Sequence, residues 1–285
     1  MNHFKAAELC LRVANLCILE AKFETQQFNR SWGKVAEQTE LFASLDFAAQ
    51  DCIAAKMLET AQDIRSIQDR MLEARQNRKI DLEPSVYANE ARHAKTAIQK
   101  GLKKREYLYV AEDRSQYLDK DYLFGESVSD KFPSAAADIK EAGNCLAAEC
   151  ATACVFHLMR AAEIALRALA SDRQIAFANK PLDQQEWGVI LDALEKVVTQ
   201  MRRDAITLWP KPEIKDVQIR FYNEVVQEFR GFNEAWRRHL AHAHKDAMYD
   251  RDYAASVMGH VRKFMEKLAE KISESSVTPV YWTSV

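Results

Sequence analysis

With 285 residues, of which 48% are hydrophobic and 29% charged, the chain has the composition of a soluble globular protein. A formal net charge of −2 excludes whole-molecule electrostatic attraction to nucleic acid, so any contact with RNA or DNA requires a local basic patch. Seven glycines and six prolines are few for this length, which favours long helices with short connections over β-hairpins.

The N-terminal part of the sequence predicts a long helical hairpin. Apolar residues at helical spacing indicate a first helix over residues 4–23 and a second, long helix over residues 35–75. The two are expected to pair in an antiparallel arrangement. Pro84 suits the first turn of a further helix over residues 85–118, whose basic side chains we interpret as a solvated face because acidic residues are interspersed among them.

The predicted domain boundary lies near residues 124–134, where aromatic, glycine and proline residues interrupt the helical pattern. With the end of the last predicted helix at residue 272, it divides the chain into three regions. The N-terminal helical region of residues 1–123 is expected to regulate, assemble or recognise a partner. A helical bundle follows over residues 124–272, and a polar tail over residues 273–285 ends the chain.

Four helical segments are predicted after the boundary. Residues 135–170 are apolar on nearly all sides, which indicates a central helix, or a pair of helices broken near Gly143. Amphipathic patterns then begin at Trp187 and continue over residues 214–241 and 249–272. Since no segment has a strand pattern, the predicted fold is an all-α helical bundle with a long N-terminal helical hairpin.

The N-terminus predicts a cytoplasmic protein without a membrane anchor. It lacks a basic stretch followed by an apolar signal core, and no apolar run approaches the roughly 18 residues that a membrane-spanning helix needs. The six cysteines form no C-x-x-C pair and lie in apolar helical surroundings. Free buried thiols are therefore favoured over a zinc site or a disulfide framework.

Residues 230–245 (RGFNEAWRRHLAHAHK) hold the chain's highest local concentration of positive and proton-exchanging groups. Arginine binds phosphate through a rigid fork and keeps its charge, whereas histidine exchanges a proton near neutral pH. Metal-independent RNA cleavage needs both properties. A base removes the proton of the ribose 2′-OH, an acid protonates the leaving 5′ oxygen, and a fixed cation stabilises the phosphate between them.

Helical spacing tells which of these side chains share a face. At about 100° per residue, Arg238 and His242 lie roughly 40° apart, whereas Arg237 and His242 lie roughly 140° apart. The second pair converges only if the helix ends or distorts between the two residues, or if a second subunit completes the site. The apolar row Phe232, Trp236 and Leu240 is expected to hold this helix against the bundle.

The run AWRRHLAH at residues 235–242, followed by Tyr249, Val257 and VRKFM at residues 261–265, resembles the C-terminal motif of HEPN proteins. That motif is an arginine, a polar residue that is often Asn, three variable residues and a histidine. The upstream residues 132–143 and FHLMRAAE at residues 156–163, together with Trp187-Gly188, are similar to a group of bacterial HEPN-like proteins. The resemblance covers roughly residues 124–272.

The resemblance implies a metal-independent endoribonuclease without a cofactor, acting on RNA as a homodimer that places two motifs in one cleft. Arg237 would contact phosphate and His242 would be the catalytic histidine. Arg238 stands where Asn is frequent, which either strengthens phosphate binding or disturbs the orientation that an amide gives. A role as a toxin or anti-phage effector, with an antitoxin or regulatory protein as a partner, is also implied.

Four residues are expected to support that site, namely Arg160, Glu163, Asn233 and His239. For Arg160 and Glu163, which lie three apart on a buried helix, a purely structural ion pair is an equal alternative.

Two other chemistries are weaker. His239, His242 and His244 lack a carboxylate at helical spacing for a metal site, with Asp246 the only near option. Cys150 and Cys154, one turn apart beside His157, have an apolar setting that favours core packing over a thiol nucleophile. Two alternatives to a nuclease remain: a non-catalytic RNA- or nucleotide-binding HEPN module, and a helical scaffold protein.

Overall fold

The computed structural model describes residues 6–28, 35–78, 83–105, 110–241, 249–275 and 278–284. Throughout these residues the regular structure is helical and no strand occurs, so the predicted all-α fold is confirmed. Within the same residues, no helix combines the length and the apolar character needed to cross a membrane. The chain forms two compact units, Met1–Leu108 and Tyr109–Val285, each with its own hydrophobic core.

The N-terminal unit is built from four helices. They are α1 (Ala6–Phe28), α2 (Val35–Ala54), α3 (Leu58–Arg78) and α4 (Pro84–Lys103). Helix α1 packs along α4, and α2 packs along α3. The α1–α4 contact includes the stacked rings of Phe23 and Tyr87, whose centroids are 5.2 Å apart. Pro84 begins α4, as its tolerance for a first helical turn predicted.

The single long helix predicted over residues 35–75 is wrong, because the chain reverses between Ala54 and Leu58. Lys56 has a left-handed backbone (φ 57°), and the N–H of Met57 closes the turn on the carbonyl of Cys52 at 2.7 Å. Helices α2 and α3 therefore form a hairpin that the sequence did not predict, whereas the predicted pairing of the first helix with the next is present as a contact between α1 and α2. Helices α2 and α3 both bury one apolar face, so the apolar spacing continues through the turn and did not reveal it.

The C-terminal unit contains seven helices in the described residues. They are α5 (Glu126–Lys131), α6 (Ala136–Ala147), α7 (Ala151–Asp172), α8 (Trp187–Arg203), α9 (Pro212–Phe232), α10 (Arg238–Ala241) and α11 (Arg251–Ala269). Helix α7 lies at the centre, in contact with α6, α8, α9 and α11. Its alanines leave room for neighbours on several sides. The break in the predicted 135–170 helix falls at residues 148–150, where Glu149 has a φ of 60°, and not at Gly143.

The boundary between the units lies at residues 108/109, not at 123/124 as the sequence predicted. Residues 110–123 belong to the C-terminal unit because they bond to α6 and its end. Arg114 donates to the carbonyl of Ala147 at 3.2 Å, and the N–H of Asp119 donates to the side chain of Asn144 at 2.8 Å. Glycine and proline mark where helices stop, but they do not tell which core a short segment joins.

The segment after α11 is packed, not a polar tail. Trp282 is buried, and its ring lies 5.5 Å from that of Phe221 and 6.0 Å from that of Tyr222. Gln218 holds the same segment by donating to the carbonyl of Val280 and accepting from the N–H of Trp282. A single buried aromatic residue in a non-helical segment has no periodicity, so the sequence pattern did not predict its burial.

Candidate functional site

A π-helical turn over Asn233–Arg237 joins α9 to α10 in the middle of the arginine–histidine run. Its hydrogen bonds join residues five apart instead of four, and such turns are frequent at functional sites. On the core side of the turn, Phe232 and Trp236 stack with their ring centroids 5.1 Å apart, and Leu240 is half-buried against the same core. The apolar row predicted for this helix is therefore confirmed.

Arg237 ends the π turn and points along the surface of the bundle toward α7 and α8. Its guanidinium carbon lies 5.2 Å from the centre of the Trp187 ring, and its Nη2 lies 3.7 Å from Oε2 of Glu163. A distance of 3.7 Å gives ionic attraction without a hydrogen bond. Since 34% of the side chain remains exposed, the oriented guanidinium keeps N–H groups available for a further acceptor.

Glu163 lies between two arginines. Besides facing Arg237, it accepts a 2.6 Å hydrogen bond from Nη2 of Arg167, one turn further along α7. The two cations offset the charge of this mostly buried carboxylate. The structure therefore brings Glu163 and Arg237 together, as the sequence led us to expect of residues near the same cleft.

Arg160 contacts Asp138 and not Glu163, the partner considered for it from the sequence. Its Nε donates to Oδ1 of Asp138 at 2.9 Å, and this hydrogen bond to the carboxylate raises the pKa of Arg160. No Arg160–Glu163 ion pair is formed among the described side chains, although the Glu163 charge is near enough to act on Arg160. The structural ion pair weighed for these two residues is thus replaced by an Arg160–Asp138 pair between α7 and α6.

The other predicted site residues have less defined surroundings. Arg238 and His239 are exposed on α10, and Asn233 is half-buried in the π turn. His242 lies outside the described residues. For Arg237 and His242 to converge, the helix has to be distorted between them. The π turn is such a distortion, but it ends at Arg237, and the following residues 238–241 are regular α-helix. The convergence of Arg237 and His242 therefore stays a prediction.

Arg230, the first cation of the run, is neutralised by α8. It donates to Asp192 at 2.7 Å and to Glu195, and these hydrogen bonds raise its pKa further while lowering that of Glu195. Within the run itself, Glu234 was the only opposing charge apparent. Among the described residues of the run, the positive charge is consequently carried by Arg237 and Arg238 and not by Arg230.

Neither alternative chemistry gains support from the described residues. There, no group of three His, Cys, Asp or Glu side chains is arranged to hold a metal ion, and His242, His244 and Asp246 fall outside that part of the chain. Burial raises the pKa of Cys154 to about 12, which opposes thiolate formation. The imidazole of His157, which was considered beside these cysteines, is instead hydrogen-bonded to the carboxylate of Asp138.

A wide groove of about 1030 Å³ between α9 and α11 is separate from Arg237. Its walls carry ion pairs between Lys267 and Glu224, 2.6 Å apart, and between His260 and Glu228. Because these charges are paired within the chain, we place the candidate chemistry at Arg237 and not in this groove.

Trp187 is the site residue that the sequence pattern did not reveal. It was expected to lie in the core, where it is indeed buried, but one face of its ring also supports the guanidinium of Arg237. Fifty residues separate the two, and no local pattern predicts such a contact.

Comparison with protein families, with curated proteins and with solved structures found no match for this chain. The resemblance to HEPN proteins thus rests on the motifs alone.

Proposed function

We propose that this chain is a metal-independent endoribonuclease of the HEPN type that acts as a homodimer. The proposal is carried by the partly exposed side chain of Arg237. Its guanidinium is oriented by the Trp187 ring and the Glu163 carboxylate and has no hydrogen-bonded acceptor among the described residues. An arginine prepared in this way fits a phosphodiester, because its planar fork binds two phosphate oxygens at once.

In the proposed reaction the ribose 2′-oxygen attacks the adjacent phosphorus and the bond to the 5′ oxygen breaks. A base takes the proton of the 2′-OH, and an acid gives a proton to the leaving oxygen, so the products are a 2′,3′-cyclic phosphate and a 5′-hydroxyl. Arg237 stabilises the negative charge on the phosphate. His242 performs one proton transfer, and in a dimer the second copy brings the second imidazole.

The nuclease proposal is tested by incubating purified protein with single-stranded RNA in the presence of EDTA. Cleavage with cyclic-phosphate ends is expected for the wild type. His242→Ala should lower the rate by about 10²- to 10⁴-fold, the usual contribution of a positioned acid or base. Absence of cleavage by the wild type, or an undiminished rate in His242→Ala, contradicts the proposal.

The biological role proposed is that of a toxin or anti-phage effector, held in check by an antitoxin or regulatory protein. Such a role requires that the activity harm the cell that makes it. Induced expression of the wild type should therefore arrest bacterial growth, and equal expression of His242→Ala should not. Equal growth of the two strains would exclude the toxin role.

A non-catalytic RNA-binding module is the second candidate. It is favoured by Arg238, an exposed second cation beside Arg237 in the place where the HEPN motif often has an orienting amide. RNA binding that survives His242→Ala, without product from either protein, would identify this function instead of the nuclease.

A further inference from the structure

A strip of one aromatic and three charged side chains runs along the surface of α7 from the Arg237 contact toward α6. Phe156, Arg160, Glu163 and Arg167 follow one another at intervals of four, three and four residues, which places them within about 60° on one face of the helix. Glu163 faces Arg237 near one end of this strip. Phe156 lies about 10 Å from Glu163 along the helix axis, a distance longer than one phosphodiester link.

The outer end of the strip pairs an exposed aromatic ring with an exposed cation. Phe156 is 49% exposed, the Arg160 side chain is 57% exposed, and the guanidinium carbon lies 5.9 Å from the ring centre. A lone exposed phenylalanine is ordinary on a protein surface. An exposed ring beside a fixed cation is less so, because it combines a face for stacking with a charge for phosphate.

A buried carboxylate fixes the cation. Asp138, in the first turn of α6, has a side chain only 12% exposed and accepts at Oδ1 from Nε of Arg160 at 2.9 Å. Nδ1 of His157 lies 2.8 Å from the same oxygen. Among the described residues, no acceptor is bonded to the two terminal nitrogens of Arg160, so their N–H groups are available for a further acceptor.

We propose that Phe156 and Arg160 form a nucleotide subsite for single-stranded RNA that extends the Arg237 site, with a base stacked on Phe156 and a phosphate on Arg160. Asp138 and His157 are positioning residues that hold Arg160 in place. The inference rests on the proposed function for its choice of ligand. Single-stranded RNA is favoured over a duplex because its unstacked bases are free to lie on an aromatic side chain.

The test measures the affinity of the full chain for a fluorescent 2′-O-methyl oligoribonucleotide, which cannot be cleaved through its 2′ oxygen. Phe156→Ala should raise Kd by about 5-fold to 100-fold, the usual effect of losing one base stack. Arg160→Ala should raise Kd and lower the slope of log Kd against log salt by about 1, because one phosphate contact is lost, whereas Phe156→Ala should keep the slope. Val189→Ala and Arg220→Ala, exposed residues of α8 and α9, are the matched controls and should bind as the wild type does.

Asp138→Asn separates positioning from stability. The amide retains the size of the carboxylate but loses its charge, so Arg160 should be less fixed and Kd should rise. Phe156→Ala should keep the wild-type melting temperature, because its side chain is about half exposed. Unchanged Kd in all three variants, with any effect confined to thermal stability, means that the cluster only ties α6 to α7 and overturns the subsite.

Cleavage of ordinary RNA by the same proteins separates this inference from the nuclease proposal. If the wild type cleaves RNA and both Phe156→Ala and Arg160→Ala keep its Kd and kcat/KM, the subsite alone is overturned. Binding that depends on Phe156 and Arg160 without any cleavage supports the subsite and overturns the nuclease. A wild type that neither binds nor cleaves single-stranded RNA overturns both.

Discussion

Asp172 and Arg173, at the end of α7, form an ion pair that is almost fully buried. Arg173 Nε lies 2.8 Å from Asp172 Oδ2, and that oxygen also accepts from the hydroxyl of Tyr222 at 2.8 Å. The remaining donors of Arg173 reach the carbonyls of Thr278 and Val280. Buried charges are tolerated only when paired and hydrogen-bonded, which is the case here.

Breaking this pair from one side should be costly. Arg173→Met leaves the Asp172 carboxylate buried without its cation, and we expect a loss of about 3–5 kcal/mol in the free energy of unfolding. Arg262→Met, which removes an exposed ion pair with Glu266, should leave stability unchanged. Urea unfolding followed by tryptophan fluorescence measures both, since Trp187, Trp209, Trp236 and Trp282 lie in the C-terminal unit. Equal stability of Arg173→Met and the wild type would contradict the account.

The cysteines differ in burial, and with it in the pKa of their thiols. Cys10, Cys17 and Cys150 are exposed, which corrects the expectation that the free thiols are all buried. Burial raises the pKa of Cys52 to about 11 and that of Cys154 to about 12.

The thiolate is the reactive form, so alkylation of the native protein at pH 8 should be selective. Iodoacetamide is expected to modify the three exposed cysteines and to spare Cys52 and Cys154 until the chain is unfolded. Peptide mass spectrometry identifies the modified positions, and rapid native labelling of Cys154 would show that its surroundings are not those described.

At the scale of elements, residues 110–123 are held to α6 by a close approach at Gly143. A Cβ added there would lie 2.6 Å from the carbonyl oxygen of Tyr117 and 2.7 Å from a methyl group of Leu123. The first of these is backbone and cannot rotate away. Glycine is therefore required at this position to let the segment pack on the helix.

Gly143→Ala should lower the stability of the C-terminal unit by about 1–3 kcal/mol, as expected when a packed contact is overfilled. Gly231→Ala is the matched control, since nothing lies within 4 Å of the position that its methyl group would occupy and alanine is the better helix former. The control should be neutral or more stable. Thermal melts of the two variants compare them directly, and a neutral Gly143→Ala would contradict the packing of residues 110–123 on α6.

The segment that contains Trp282 is the second element whose packing can be tested. Trp282→Ala removes a large buried side chain from contact with Phe221 and Tyr222 and should cost about 3–5 kcal/mol. Val280→Ala alters an exposed side chain but keeps the backbone carbonyl that Gln218 and Arg173 bind, so it should change little. If the urea midpoints of Trp282→Ala and Val280→Ala are the same, residues 278–284 contribute nothing to the core.

At the scale of the whole molecule, periodicity predicted the helices but not the contacts between them. The all-α fold, the starts of α4 and α8, and the core-facing row Phe232, Trp236 and Leu240 all follow from local patterns. The reversal at Lys56 left the apolar spacing intact and was missed. The sequence pattern also assigned residues 110–123 to the N-terminal unit. Only tertiary packing decides which core such a short segment joins.

The same limit applies to the candidate site. The sequence indicated Arg237 and placed Glu163 near it, and this contact is present. It held no sign that Trp187 would support the guanidinium, or that Asp192 and Glu195 would neutralise Arg230. Those partners come from α8, whose position beside the π turn depends on the packing of the whole bundle.

The proposed nuclease activity requires that the guanidinium of Arg237 act on a phosphodiester. Its most direct test is kcat/KM for RNA cleavage in EDTA by Arg237→Ala, compared with Arg220→Ala as an exposed arginine of α9 outside the site. We expect a loss of at least about 100-fold for Arg237→Ala, as for removal of a donor that stabilises transition-state charge, and no loss for Arg220→Ala. Equal activity of the two folded variants would contradict the account.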